Sequence, residues 1–289
     1  LLAGLAAHNG MRMRRWDFVA AYLQGSLEDG ETTYCHAPEG YERYEKDSDG
    51  NDILSRPLIC KVVKPVYGMA QAGRRWQRSL FPWLEKYGFV PSNYEPCMFQ
   101  ISKVMETPNG PRRERLVVGV YVDDLAVCYR EDDEHSLYHD FTHQLVEDWS
   151  VDDEGDLSDL LGIEFFNSGG AITLTQTAYI AKLVREHLAD YVPPEVQKNQ
   201  PPCDKSIVEF VDAALDNECT LSDADVRKYQ SLVGALLYCA TNTRPDVAYS
   251  VGMLCRAMGR PTVDLQRAAE RVLQYLYRTR ELGLTYTPS

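Results

Sequence analysis

The sequence predicts an α+β fold, in which an antiparallel sheet backed by helices is followed by a mostly helical region. Residues 116–129 are rich in the β-branched and aromatic residues that favour strands, and residues 11–20 place Trp16, Phe18 and Ala20 on one face by strand alternation. Residues 74–87 and 133–149 instead repeat apolar side chains at the three- to four-residue spacing of an amphipathic helix. Beyond residue 222 only helical patterns follow. Strands concentrated in the first part of a chain, with helices after them, are typical of the α+β class.

The chain begins with a predicted helix and a predicted strand. Residues 1–7 place their leucines on one helical face. In the strand over residues 11–20, Trp16, Phe18 and Ala20 share one face because side chains alternate along a strand. Asp17 therefore points to the opposite face.

Turn-forming residues and a helix are predicted next. Residues 42–57 are polar and rich in turn formers, so we expect a loop or a loose hairpin. The helix over residues 74–87 should end at Gly88, which tolerates the left-handed conformation of a helix end. Pro82 lies inside that helix and predicts a kink or an early break, since proline cannot donate a backbone hydrogen bond.

Three further elements complete the first part of the chain. The helix over residues 133–149 should turn Leu137, Phe141 and Leu145 inward. Residues 158–176 predict two strands joined at the turn formers 167–170. A following helix carries an apolar face made of Ile180, Leu183, Val184, His187 and Leu188.

A proline-rich stretch marks the predicted domain boundary. Residues 190–222 contain Pro193-Pro194 and Pro201-Pro202 and show no clear period, which predicts a linker or a strap over the surface. Ser222 and Asp223 are suited to cap the first helix beyond it, Pro245 suits the first turn of a second, and a third spans residues 263–280. The chain is thus divided into residues 1–189, a linker over 190–222 and a helical region over 223–289.

Net charge, apolar runs and cysteine spacing limit the classes of protein to which this chain can belong. The 289 residues carry a net charge of −13, which argues mildly against a free-standing nucleic-acid binder but leaves room for a local basic groove. No apolar run approaches the ~20 residues of a membrane span. The eight cysteines form no C-x-x-C pair and are best explained as buried thiols of a reduced intracellular protein. Because Leu1 is not an initiator methionine, we expect the chain to start inside a larger gene product.

Two adjacent acids carry the sharpest functional signal. Residues 117–128 read VVGVYVDDLAVC, so two strand-forming arms flank Asp123 and Asp124, which we place at the bend of a tight hairpin. An ordinary solvated turn is the alternative, but turns favour Asp-Gly or Asn-Gly over two like charges. The apolar arms also bring the acids near a low-dielectric core, where unpaired charge is costly. A divalent cation would offset that cost, and Mg²⁺ prefers carboxylates together with substrate phosphates.

Asp17 is the third acid of interest. Alone it would be interpreted as an edge-strand aspartate in water. Together with Asp123 it can form one arm of a two-metal site, in which carboxylates on neighbouring strands hold two cations about 4 Å apart. Spacing alone does not show that the two strands meet.

Seven segments stand in order along nearly the whole chain: WDFVAAYLQGSL at residues 16–27, YCHAPEGY at 34–41, CKVVKPVYGMAQAGRRW at 60–76, YVDD at 121–124, LLGIE at 160–164, YQSLVGALLY at 229–238 and TRPDVAY at 243–249. Together they resemble segments of the reverse transcriptases of Ty1/copia-type retrotransposons. A lone YVDD motif would be weak, whereas seven ordered segments are a specific signal.

The resemblance implies an RNA-directed DNA polymerase with a palm of antiparallel strands, part of a thumb, and a helical connection leading towards a ribonuclease H domain. Asp17, Asp123 and Asp124 would be catalytic and bind two Mg²⁺ ions, with Mn²⁺ as a possible substitute. The implied roles of other residues are nucleotide and template binding for Tyr22, Tyr67, Gly68, Gln71, Tyr121 and Val122, and primer gripping for Leu161, Gly162 and Ile163. Tyr22 would exclude ribonucleotides by a clash with the 2′-hydroxyl, although a core aromatic is the alternative.

The implied partners are an RNA or DNA template with primer, deoxynucleoside triphosphates, and the integrase and ribonuclease H segments of one polyprotein, without a membrane. The expected location is intracellular, in the cytoplasm, a virus-like particle or the nucleus. The family's basic fingers would precede this segment. Nucleic-acid contact is also expected from Arg74, Arg75 and Arg78, for which a solvated basic face is equally plausible.

The chain departs from the family pattern at Val19, Ala70, Gly73 and Pro82. These departures support an alternative of another class, a catalytically inactive relic or a co-opted nucleic-acid-binding module with the same fold. The retained acids argue for the enzyme. A third possibility, another two-metal phosphotransferase, is disfavoured because it would not need Tyr22 or the segment over residues 67–71. The spacing of His135, His139 and His143 could hold a metal, but it points them to solvent, away from the apolar face of their helix.

Overall fold

The structure, a computed structural model, describes residues 1–37, 44–54, 59–188, 191–192, 201–217 and 221–288. Two compact units are present. The sheet unit comprises Met11–Asp156, and the helical unit comprises Ala3–Gly10 together with Leu157–Ser289. The PEGY portion of the second motif lies outside the described residues.

The elements up to the end of the sheet unit are, in chain order, α1 (Leu2–His8), β1 (Arg12–Phe18), α2 (Ala21–Gln24), β2 (Thr33–His36), β3 (Tyr44–Lys46), β4 (Asp52–Leu54), β5 (Ile59–Val62), α3 (Ala72–Tyr87), β6 (Val90–Pro91), β7 (Met98–Thr107), β8 (Gly110–Tyr121), β9 (Asp124–Tyr129), α4 (Leu137–Asp148) and β10 (Val151–Asp156). An antiparallel sheet runs in the order β10-β1-β9-β8-β7-β6, and β2–β5 and β3–β4 form separate two-stranded ribbons. The β3–β4 ribbon confirms the expected loose hairpin.

Helices α3 and α4 supply the apolar cover of the six-stranded sheet. Their inward side chains join strand residues in one core, formed among others by Trp76, Leu80, Leu84, Leu137, Phe141, Leu145, Phe18, Val118 and Val127. Burying each large apolar side chain contributes about 1.5–3 kcal/mol. The predicted antiparallel sheet backed by helices is therefore confirmed.

The early break of α3 that Pro82 predicts is wrong. The helix continues through Pro82 to Tyr87 and ends at Gly88, which has φ +117°. Proline removes one backbone hydrogen bond. Trp76, Leu80 and Leu84 are each at most 1% exposed, and packing of such a face stabilises a helix more than local propensity does.

The helical unit contains β11 (Asp159–Leu160), β12 (Ile163–Ser168), β13 (Ala171–Thr175), α5 (Thr177–His187), α6 (Ser206–Asp216), α7 (Asp223–Asn242), a 3₁₀ turn (Pro245–Val247), α8 (Ala248–Arg256), α9 (Val263–Arg278) and β14 (Leu284–Tyr286). Its sheet has the order β11-β12-β13-β14. The expected cap is present, since the Ser222 hydroxyl accepts a hydrogen bond from the Asp225 amide at 3.2 Å.

A helix occupies part of the stretch that was predicted to be a linker. Ile207, Val211 and Ala214 on α6 are buried in the core that α5, α7, α8 and α9 share. Their spacing of four and three residues is typical of a helix. The prediction of a linker over residues 190–222 rests on the prolines before residue 203 and is wrong for α6. Residues 190, 193–200 and 218–220 of this region lie outside the described part of the chain.

The prediction of buried thiols is only partly confirmed, because Cys60, Cys97, Cys203 and Cys255 are half-buried. Cys128 and Cys239 are buried, but Cys35 is exposed because it lies on the narrow β2–β5 ribbon. His135, His139 and His143 are exposed, as predicted. Within the described residues, no helix combines the length and apolar character needed to cross a membrane.

Candidate active site

The two acidic segments meet on adjacent strands. Strand β1 lies between β9 and β10, and Asp17 is directly opposite Asp124 of β9 in the antiparallel register. The Phe18 amide also donates a 2.8 Å hydrogen bond to the Asp123 carbonyl. Asp17 is therefore on an interior strand, which excludes the edge-strand alternative. The strand is expected to reach Ala20, but β1 ends at Phe18 and Ala20 has a left-handed φ of +49°.

The turn between β8 and β9 holds the acids in fixed positions. Tyr121 pairs with Asp124, so Val122 and Asp123 form the bend. The prediction that Asp124 also lies at the bend is wrong, because Asp124 is the first residue of β9. Val122 has φ +52°, a conformation that is strained for a β-branched residue. The buried Trp76 ring nitrogen donates a 2.7 Å hydrogen bond to the Val122 carbonyl. Strain of this kind persists only where surrounding contacts hold it, and it is concentrated at functional sites.

Like charges surround Asp17. Burial, followed by the negative charges of Asp124 and Asp123, raises the pKa of Asp17 above its ordinary value. One cation partly offsets this repulsion, because the Arg15 guanidinium donates to the Asp124 carboxylate at 2.7 Å. Sequence reasoning missed Arg15, although its position two residues before Asp17 places both on one face of β1.

Asp123 has one satisfied and one unsatisfied carboxylate oxygen. Its Oδ2 accepts a 2.9 Å hydrogen bond from the Tyr67 hydroxyl. Its Oδ1 is buried without any hydrogen-bond partner. Burial and the hydrogen bond to Asp123 raise the pKa of Tyr67 to about 12, so the phenol remains a neutral donor at physiological pH. A buried carboxylate oxygen without a partner is costly unless a cation or water meets it.

The donor set fits a hard divalent cation. Asp17, Asp123 and Asp124 offer only oxygen ligands, and the unpartnered Oδ1 of Asp123 and the repulsion felt by Asp17 are both relieved by positive charge. Within the described part of the chain, no three Asp, Glu, His or Cys side chains already converge on one point. The hydrogen bonds from Tyr67 and Arg15 hold two of the acids, so a cation would compete with these donors.

Two tyrosine rings lie beside the acids. The rings of Tyr22, on α2, and Tyr67 have centroids 4.4 Å apart and planes inclined by 35°. Tyr67 thus contacts Tyr22 through its ring and Asp123 through its hydroxyl. The structure brings together an aromatic pair and a carboxylate that the sequence places up to 101 positions apart.

The predicted nucleotide and template residues at the start of α3 are held by two glutamates. Gln71 donates a 2.9 Å hydrogen bond to Glu31, and the Arg75 guanidinium lies 2.8 Å from the same carboxylate. Arg75 and Arg78 also form ion pairs with Glu28. These side chains are thus engaged by acids that the sequence analysis did not single out.

Arg74 differs from Arg75 and Arg78 in its surroundings. It is exposed, and within the described residues it forms no ion pair. Of the three arginines, Arg74 is the most available for a phosphate. Gly68 has φ +95°, a left-handed conformation that favours glycine, in the loop that positions Tyr67.

The predicted primer-gripping residues form a tight hairpin in the helical unit. Leu161 and Gly162 have φ +55° and +73°, as the central residues of a type I′ turn require, and they join β11 to β12. The Tyr238 hydroxyl donates to the Leu161 carbonyl. Glu164, which follows in the LLGIE motif, accepts hydrogen bonds from the Thr177 and Ala178 amides at 2.9 and 3.1 Å and so caps α5.

Comparison with known proteins agrees with this geometry. The reverse transcriptase (RNA-dependent DNA polymerase) family matches residues 1–193. The chain is 30% identical to the transposon Ty5-1 protein of Saccharomyces cerevisiae, over 93% of this chain and 78% of that protein. It is also 30% identical to the Pol polyprotein of transposon RE1 from Arabidopsis thaliana and 23% identical to that of TNT 1-94 from Nicotiana tabacum, over 98% and 96% of this chain. It spans only 17% and 19% of those two polyproteins. The acidic sheet site and these matches together show that the chain belongs to the reverse transcriptase family.

Proposed function

We propose that the chain is the polymerase portion of a copia-type retrotransposon reverse transcriptase, which adds deoxynucleotides to a primer 3′-hydroxyl on an RNA template. The observation that carries the proposal is the register of Asp17 against Asp124, with the unpartnered Oδ1 of Asp123 at the adjoining turn. In this proposal residues 1–189 are palm and early thumb, and residues 223–289 lead towards ribonuclease H. Integrase and ribonuclease H segments of one polyprotein are proposed partners.

Each residue of the site has a stated role in this proposal. Asp17 and Asp123 would hold two Mg²⁺ ions, or Mn²⁺ in their place, which when bound neutralise phosphate charge and activate the attacking hydroxyl. Trp76 fixes the turn that aims Asp123, because it donates to the Val122 carbonyl. Arg15 fixes Asp124.

The Tyr22–Tyr67 pair supplies an aromatic wall of two mutually inclined rings beside the acids. We propose that the sugar of the incoming nucleotide lies against this wall. A ring in that place leaves no room for a 2′-hydroxyl, so it selects deoxynucleotides through a clash with the competitor.

We expect Tyr22→Val to raise ribonucleotide use relative to deoxynucleotide use by at least about ten-fold, equivalent to ~1.4 kcal/mol of discrimination. Removing the ring opens the space that the 2′-hydroxyl needs. Single-nucleotide incorporation kinetics with paired ribo- and deoxynucleotides measure the ratio. Tyr22→Phe keeps the ring and is the matched control. If Tyr22→Val left the preference for deoxynucleotides over ribonucleotides unchanged, Tyr22 would be an aromatic residue of the core without a role in sugar selection.

We expect Tyr67→Phe to slow primer extension by about ten-fold, equivalent to ~1.4 kcal/mol, close to what a hydrogen bond to a charged group contributes. The variant keeps the ring beside Tyr22 but removes the donor that orients Asp123. Tyr94→Phe is the control, because Tyr94 is 94% exposed and its loss of a hydroxyl should change nothing. Equal rates for Tyr67→Phe and the parent would exclude an orienting role.

A second candidate is a nucleic-acid-binding module without turnover. It is favoured by the absence, among the described residues, of three side chains that converge to form a metal site. Primer extension on an RNA template with Mg²⁺, by the chain together with any coding sequence that adjoins it in its gene, separates the candidates. Template-dependent extension supports the polymerase, and primer–template binding without extension supports the binding module.

A further inference from the structure

Two cysteines lie opposite each other on the β2–β5 ribbon. In the antiparallel register Cys35 of β2 is the partner of Cys60 of β5. Directly opposed residues of an antiparallel pair project from the same face. Elsewhere in the described residues, no strand pairing places one cysteine opposite another.

The spacing of such a pair suits a disulfide. Opposed Cα atoms in an antiparallel ladder are about 4.5–5.5 Å apart, and disulfides span Cα distances of about 4.4–6.8 Å. The Cβ atoms of opposed residues are about 4.5–5.5 Å apart and those of a disulfide average about 3.8 Å, so closure has to bring them together by roughly 0.7–1.7 Å. Among the residues that the structure describes, the ribbon contains only β2 and β5, so no third described strand resists that approach.

Both thiols are free, and at least one is open to solvent. Cys35 is exposed and Cys60 is half-buried. By contrast, Cys128 and Cys239 are buried. Accessibility next to a second thiol distinguishes redox-reactive cysteines from inert structural ones.

We propose that Cys35 and Cys60 are a vicinal dithiol that a peroxide oxidises reversibly to a disulfide. The Cys35 sulfur attacks one peroxide oxygen, so an S–O bond forms, the O–O bond breaks, and the departing oxygen leaves as water or alcohol after taking up the thiol proton. Cys60 then attacks the sulfur of the resulting sulfenic acid, forming the S–S bond and releasing water. Two thiols are oxidised and one peroxide is reduced.

The disulfide would join two strands that lead to the candidate active site. Glu31, which holds Gln71 and Arg75, lies two residues before β2 begins. Strand β5 ends five residues before Tyr67. Oxidation would therefore brace the ribbon from which both of these segments extend. The dithiol itself is inferred from strand register and exposure, independently of the proposed polymerase function.

The test is peptide mapping without reductant after brief treatment with hydrogen peroxide. We expect one major cross-linked pair of peptides, containing Cys35 and Cys60, that dithiothreitol separates. Cys35→Ser and Cys60→Ser should each abolish it, and Cys97→Ser, at a half-buried cysteine on the same unit, should leave it unchanged.

Phenylarsine oxide gives a second measurement on the untreated protein, since one arsenic bridges two close thiols. We expect it to protect Cys35 and Cys60 together from alkylation and to leave either serine variant unprotected. The proposal would be overturned if the two cysteines were alkylated independently of each other both after hydrogen peroxide and after phenylarsine oxide. It would also be overturned if the peroxide-induced cross-links were distributed among other cysteines.

Discussion

Asp123→Asn is expected to reduce primer extension by at least about 100-fold. The substitution keeps the size of the side chain and its ability to accept the Tyr67 hydrogen bond, but it removes the negative charge. Loss of one preorganised electrostatic group of this kind costs about 2.7–4 kcal/mol of transition-state stabilisation. Single-turnover primer extension with Mg²⁺ measures the effect, with thermal unfolding to show that the fold is kept.

Asp156→Asn is the matched control for this experiment. Asp156 lies on β10 of the same sheet, its side chain is 71% exposed, and its substitution changes the net charge equally. We expect its extension rate to match that of the parent. Extension by Asp123→Asn within a few-fold of the parent would contradict the assignment of Asp123 as a metal ligand.

The second large effect concerns the stability of the helical unit. The Arg244 side chain is 1% exposed and donates two hydrogen bonds to the Asp246 carboxylate, at 2.9 and 2.7 Å. Arg244 also donates to the carbonyl and hydroxyl of Thr279, at 2.9 and 2.6 Å. Its guanidinium carbon lies 5.5 Å from the centre of the Tyr275 ring. This cluster ties the end of α7 to α9 and gives the TRPD motif a structural role.

We expect Asp246→Ala to lower the free energy of unfolding by about 3–5 kcal/mol, because it leaves the buried Arg244 charge without its carboxylate. Urea unfolding at neutral pH measures the change. Asp264→Ala is the control, since the Arg267–Asp264 pair on α9 is exposed and should contribute no more than about 1 kcal/mol. Adding Arg244→Met to Asp246→Ala should recover part of the loss. A loss as small as that of the control would show that the pair is not needed.

The stabilisation by Asp246 has a defined pH dependence. Burial alone would raise the pKa of Asp246, but the hydrogen bonds and charge of Arg244 outweigh burial and hold the pKa below its ordinary value. A carboxylate with a depressed folded-state pKa stabilises the fold above its unfolded-state pKa. We therefore expect the difference in unfolding free energy between the parent and Asp246→Ala to be constant near neutral pH and to narrow below about pH 4. A difference independent of pH across that range would contradict the ion pair.

Much of the fold could be predicted from short-range patterns. The alternation around Asp17, the arms of the 117–128 hairpin and the apolar faces of α4 and α5 each lie within about a dozen residues, where backbone geometry relates sequence to structure directly. The prediction for residues 190–222 was wrong because prolines concentrated at one end concealed the period of α6. Family resemblance added the expectation that Asp17 and Asp123 meet.

The sequence by itself thus determined β1, β8, β9, β12 and β13, most of the helices, and the candidate acids Asp17, Asp123 and Asp124. It did not predict β2, β5, β6, β7, β10 or β14. Only the tertiary structure decided that β1 lies between β9 and β10, that Tyr67 donates to Asp123 across 56 positions, and that Arg15 is the partner of Asp124. The opposition of Cys35 and Cys60 also depends on strand register. These contacts join residues that are far apart in the sequence. They depend on strand register, on how the sheet and helices pack, and on the pairing of buried charges, none of which local residue propensities specify.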